Sequence, residues 1–300
     1  MIGTIVAIAR QELLGALRSP VAWVMYAALQ FILAWQFLAG LETYLQLQPQ
    51  LKLMVNPPGV NQIVIAPVIV TAGFLFLLAA PLITMRAVAD ERRARTLVLY
   101  LKAPIAPATI VLGKFLGCLA QLLPVVLGLA LMFGVLALTT PVDGGQLLAG
   151  LAALLLVGAL FVSMGLFIST LTSHPAAAAF GTLMALLLIW LLDWQSSVGA
   201  EQSWLASASA LNQFQGLVRG LVDTGALAYF GAGAVCLLAL ASWRLAREAR
   251  GGAVVAAEDL IALRPGDGIG AEVLAEILGR AWTRDVQPGE RLTSEMMEER

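Results

Sequence analysis

Asp90, Glu91, Arg92, Arg93 and Arg95 place five charged side chains inside one short stretch. Leu97, Leu99 and Leu101 follow, and the stretch closes on Pro104 and Pro107. Ionised groups of both signs leading into an apolar ridge are suited to docking on a soluble partner. A merely solvated loop does not need the leucines. The bland alternative is a hydrated basic loop. Bond-making chemistry has little support elsewhere. His174 is the single histidine, set before Pro175 in a turn. No His-Glu-x-x-His or Gly-x-Ser-x-Gly pattern occurs. Gly113-Lys114 lacks both the preceding glycine and the following hydroxyl of a phosphate-binding loop. Cys118 and Cys236 sit in apolar surroundings without paired spacing, and read as small buried side chains. No catalytic, cofactor-binding or metal-ligating set is therefore expected.

The elements that must position the charged stretch are apolar. Six runs without a charged side chain lie at 21–41, 63–85, 115–138, 147–171, 176–192 and 227–243. Each is near the ~20 residues a helix needs to cross hydrocarbon, and none shows the polar stripe of a soluble amphipathic helix. The chain is 60% hydrophobic and 12% charged, with mean hydropathy +0.87. Those values predict an all-α membrane protein with six transmembrane helices.

Lys and Arg are sorted by position. Arg10, Arg18, Arg86, Arg92, Arg93, Arg95, Lys102, Lys114, Arg244, Arg247 and Arg250 fall on one side. The opposite loops hold Lys52 and Arg219. The rich side is expected to be cytoplasmic, with both termini inside. Residues 1–18 carry Ile2, Ile5, Val6, Ala9 and Leu13 at helical spacing, which predicts an amphipathic helix lying in the cytoplasmic interface. Ser19-Pro20 then turns the chain into the first span. Pro67, Pro81 and Pro124 predict kinks, and residues 42–62 read as an irregular outer loop. Lys114 is expected to snorkel to the interface. Leu211, Phe214, Leu217, Val218 and Leu221 predict a further amphipathic helix on the outer side. Gly158, Ser163, Gly165 and Ser169 allow close helix approach. Ion-driven transporters carry ionisable groups inside their spans. The six runs have none, so energy for any transport is expected from outside the chain.

Several blocks resemble one family. Pro81-Leu82-Ile83-Thr84-Met85-Arg86, Glu91-Arg92-Arg93, Thr96-Leu97, Leu99, Ala103-Pro104 and Leu112-Gly113-Lys114-Phe115 resemble the signature of type-2 ABC transporter permeases. The gliding-motility (GldF-like) permeases are the most similar subgroup. Ser19-Pro20, the run 219–224 and Tyr229-Phe230 are similar too. The resemblance covers about residues 1–250. It departs where the family has glycine before the threonine and an acidic residue two after it. This chain has Arg95 and Val98 there.

The resemblance implies a permease subunit of an exporter in the bacterial cytoplasmic membrane. It would be a homodimer, or paired with a second permease, and would bind a cytoplasmic ABC ATPase subunit. ATP would be bound by that partner. Asp90, Glu91, Arg92, Arg93, Arg95, Thr96, Leu97, Leu99 and Pro104 would form the coupling segment. The lipid bilayer is the other partner, and nothing points to nucleic acid. A membrane scaffold, or a secondary transporter working without an ATPase, is the alternative. After Arg250 the composition turns ordinary. Residues 257–293 resemble part of the antifreeze-like (SAF) domain of sialic acid synthases, which implies a small mixed α/β cytoplasmic tail at 251–300.

Overall fold

The computed structural model describes residues 2–54, 57–93, 105–199, 210–221 and 223–250. The tail read as mixed α/β, and the segment 94–104, lie outside them. Among the described residues the chain is helical and contains no strand. Among the described residues, five helical stretches are long and apolar enough to cross a membrane. The contacts divide the chain into a unit Met1–Ala241 and a second unit, Ser242–Arg300.

Helix α1 (Ile2–Leu17) precedes α2 (Pro20–Leu51). Pro20 occupies the first turn of α2, where a missing N–H costs nothing. Helix α2 runs on past the first apolar run to Leu51, so the expected irregular outer loop is helical over 42–51. Gln46 Nε2 donates to Glu42 Oε1 at 3.2 Å, one turn back, and Glu, Leu and Gln are good helix formers.

A π-helical turn at Asn61–Ile65 opens the second span and leads into α3 (Ala66–Thr84). Pro67 therefore sits in the first turn of α3 rather than at a kink. The Ala66 N–H reaches back five residues to the Asn61 carbonyl. This widened turn accommodates a proline that cannot donate. Helix α4 (Ala89–Arg93) is a single short turn beyond α3.

The third apolar run is broken into α5 (Pro107–Ala120) and α6 (Leu123–Ala137). Pro124 causes the break. It supplies no N–H, and the Val125 and Val126 N–H groups both fall back on the Leu122 carbonyl at 3.2 Å. Then come α7 (Gly144–Ser169), α8 (Pro175–Gly199), α9 (Ala210–Val218) and α10 (Thr224–Arg250). Helix α9 is the amphipathic helix expected from its leucine spacing. It buries Phe214, Leu217 and Val218.

The core of the first unit is α3 against α7 and α8. Phe76, Leu77 and Ala80 of α3 and Leu154, Val162 and Leu166 of α7 are fully buried. By contrast, α2 exposes Val21, Val24, Phe31 and Trp35. Apolar side chains in that position suit a hydrocarbon solvent, where they carry no hydration penalty.

Candidate functional site: a charged junction at the α4 end of the bundle

The residues that come together at the α4 end begin with two glycines. Gly113 and Gly117 are one turn apart on α5 and face α1. A Cβ at Gly113 would lie 2.7 Å from the Cβ of Ile8. One at Gly117 would lie 2.6 Å from the Cβ of Glu12 and 2.8 Å from the Ala9 carbonyl. Only glycine lets the two backbones meet this closely. Helix α1 therefore packs along α5.

That contact overturns the expectation for Lys114. Its side chain is 1% exposed. Nζ donates to Glu12 Oε1 at 2.6 Å and to Glu91 Oε1 at 2.6 Å. One ammonium thus joins α1, α5 and α4. Snorkelling would have carried the charge to water alone. Two carboxylates arriving from neighbouring helices satisfy it inside the protein instead. Short charge-assisted bonds of this kind are the strong class of hydrogen bond. The span Pro107–Ala137 also contains Lys114, so the apolar helices are not free of charge once their full helical lengths are counted.

A second attachment holds the entrance to α4. The Ser169 hydroxyl, at the end of α7, accepts from the Val88 and Ala89 N–H groups at 3.2 and 3.1 Å. The same oxygen can donate to the Met85 carbonyl at 3.5 Å. Backbone groups released where α3 ends are thereby met by a side chain from another span. Arg86 and Asp90 pair at 3.9 Å on the surface, a contact worth little by itself.

Of the nine residues expected to form the coupling segment, Asp90, Glu91, Arg92 and Arg93 are described, all on α4. Glu91 is tied inward to Lys114, while Arg93 is exposed. Arg95, Thr96, Leu97, Leu99 and Pro104 lie outside the described residues. The expectation missed Glu12, Lys114 and Ser169 as members of the site. A legible signal existed for Lys114. It is an ionisable residue within an apolar helix, flanked by glycines that let another helix approach.

The opposite end is closed differently. The Asn61 amide donates to the Asp143 carbonyl at 3.0 Å and accepts from the Asp143 N–H at 3.2 Å. Asp143 also caps α7, accepting from Gly145 and Gln146 N–H at 2.9 and 3.3 Å. Gln146 Nε2 donates to the Val218 carbonyl at 3.3 Å, at the end of α9. Phe214 of α9 is 1% exposed and seats against Gly73 of α3. Helix α9 therefore covers α3, α7 and α8 at that end. No group of acidic, cysteine or histidine residues able to hold a metal occurs among the described residues.

Compared with known proteins, residues 6–202 match the sequence family described as ABC-2 family transporter protein. That range contains most of α1, all of α2 to α8 and the whole charged junction. No curated protein matches the chain.

Proposed function

The chain belongs to the ABC-2 family of transporter proteins, and from that membership we propose that it is the permease subunit of an ATP-driven exporter whose ATPase is a separate chain. As a member of that family it is a multi-pass membrane component of an ABC transporter, with no catalytic role of its own. The proposal adds six spans, the sixth formed by α8, and places both termini and α4 on the cytoplasmic side of a bacterial inner membrane. The charge sorting supports that orientation. The permease would act as a homodimer or beside a second permease, and ATP would be bound by its partner. Affiliation with the gliding-motility subgroup, and an SAF-like tail at 251–300, rest on sequence resemblance alone.

In this reading residues 90–104 lie against the ATPase. The single observation that carries it is the double ion pair of Lys114. A push on α4 reaches Glu91, passes to Lys114 on α5, and from there to Glu12 on α1. Ser169 carries the same displacement to α7. A docking surface built only on a flexible loop would lack such links. ATP-driven closure of two ATPase subunits could then shift spans rather than merely bend a loop.

The test is recovery of the tagged chain from native membranes in mild detergent, with the bound proteins identified. A stoichiometric ABC-type ATPase, lost when 90–104 is deleted, is the expected result. Recovery of the chain alone, or with structural membrane proteins only, would favour a scaffold or an ATPase-independent transporter.

A further inference from the structure

A cleft of about 380 Å³ opens between α2 and α6. Its size falls within the ~300–1,000 Å³ range of small-molecule sites. The break before Pro124 forms part of its wall, because α6 starts on a new axis there. Most of the lining is apolar, and none of it is charged.

Two polar side chains interrupt that lining. The Tyr26 hydroxyl is buried with no hydrogen-bond partner among the described residues, and Tyr26 as a whole is 7% exposed. Gln30, one turn further along α2, has its amide 3.2 Å from the Met132 sulfur, a weak acceptor. Gly128 leaves the room for Gln30, since a Cβ there would stand 2.6 Å from its Oε1. Leaving a buried hydroxyl unmatched is unfavourable. Hydrocarbon around the protein offers it nothing.

The occupant can be read from these features. The walls continue into exposed apolar side chains, Val24 on α2 and Leu127 and Leu131 on α6, so the mouth faces hydrocarbon rather than water. Tyr26 lies six residues past Pro20, roughly 9 Å along the helix, and Gln30 roughly 15 Å. Trp23, edge-on to Tyr26 at 6.2 Å, donates its indole N–H to the Leu17 carbonyl nearer the helix start. That is the amphipathic placement of an interfacial tryptophan. The Tyr26 hydroxyl therefore sits just inside the hydrocarbon boundary marked by Trp23, where the glycerol esters of a bilayer lipid meet their chains, and the Gln30 amide lies about 6 Å further in. Without a cation the cleft has no hold on a phosphate. Two N–H or O–H donors suit neutral carbonyl acceptors.

We propose that this cleft binds the ester-linked acyl chain of a membrane glycerolipid, with an ester carbonyl accepting from the Tyr26 hydroxyl and the Gln30 amide, on the same side of the membrane as the Lys114 junction. Its hold on lipid does not depend on an ATPase partner, so it stands or falls apart from the permease reading.

The experiment reconstitutes the full chain in nanodiscs of phosphatidylcholine carrying a diazirine on one acyl chain, and maps the crosslinks. Tyr26 and Val125 are buried, so an annular lipid that does not enter the cleft leaves them unmarked. Labelling of both several-fold above Leu129, which faces the protein core, is expected. The ether-linked analogue, which lacks the carbonyls, should label Val125 several-fold less. Tyr26→Phe should shrink that ester–ether difference while the protein remains folded. Equal labelling by the two lipids, or none at Val125, would overturn the proposal. So would an unlabelled cleft together with a disulfide-linked dimer of Ala27→Cys, which would assign the cleft to a second copy of the chain.

Discussion

The two ends of the bundle are secured by different chemistry. At the α4 end a buried ammonium is held by two carboxylates from two other helices. At the α9 end the ties run between neutral amides and backbone groups, or between an aromatic ring and a glycine. Neutral ties are local and roughly additive, each worth about 0.5–1.5 kcal/mol. An ionic junction behaves as a unit, because removing one member leaves the others charged in a poor solvent. The end expected to receive force from a partner is thus the end whose members cannot yield one at a time. The other end resembles a fixed closure.

The largest test of this contrast is Lys114→Met. It leaves Glu12 and Glu91 facing each other without their cation, and should cost about 3–5 kcal/mol. Reversible unfolding in detergent would measure the loss. Proteolysis of α1 should accelerate in the same variant, since α1 loses its charged anchor.

A smaller effect is expected from Gly117→Leu. The new side chain meets the Ala9 carbonyl and the Glu12 Cβ, neither of which can move without shifting α1. Overpacking of that kind costs about 1–3 kcal/mol. A thiol probe on α1, placed at Ile8→Cys, should become accessible along with the destabilisation.

The smallest belongs to the neutral end. Gln146→Ala removes one bond to the Val218 carbonyl, at about 0.5–1.5 kcal/mol. It should loosen α9 in hydrogen exchange while leaving α1 and α4 unchanged. Were this loss as large as that of Lys114→Met, or were it felt at α4, the two ends would not differ as described.

Much of the frame was legible in the sequence. The apolar runs mark the helices because their lengths match the bilayer and their lack of charge suits it. The spacing of Phe214, Leu217 and Val218 marks α9, since helical period alone brings those positions to one buried face, whereas Leu221 lies past the helix end and is exposed. The failures share a cause. Lys114 was read against water, which rewards snorkelling, and the outcome turned on a helix about one hundred residues away in the chain. Pro67 was read as a kink because the rule sees the missing N–H, and the π turn ahead of it lies in backbone geometry that no residue type announces. Residues 42–62 read as a loop from Pro49, Asn56, Pro57, Pro58 and Gly59, although Glu42 and the leucines and glutamines of 45–51 extend a helix already begun. Glu91, one of the nine residues expected in the coupling segment, is bonded to Lys114 within the chain, a link that its neighbours in sequence do not announce.

The central claim is that the junction transmits force rather than merely packing helices. Glu12→Gln tests it most directly, because Glu12 lies outside the 90–104 segment proposed for docking but holds α1 to Lys114. The measurement is ATP turnover of the complex reconstituted in lipid, alongside co-purification of the ATPase. The account predicts that the ATPase still co-purifies while turnover of the complex falls several-fold. Wild-type turnover in the same preparation would contradict it, and would reduce the junction to a structural pairing.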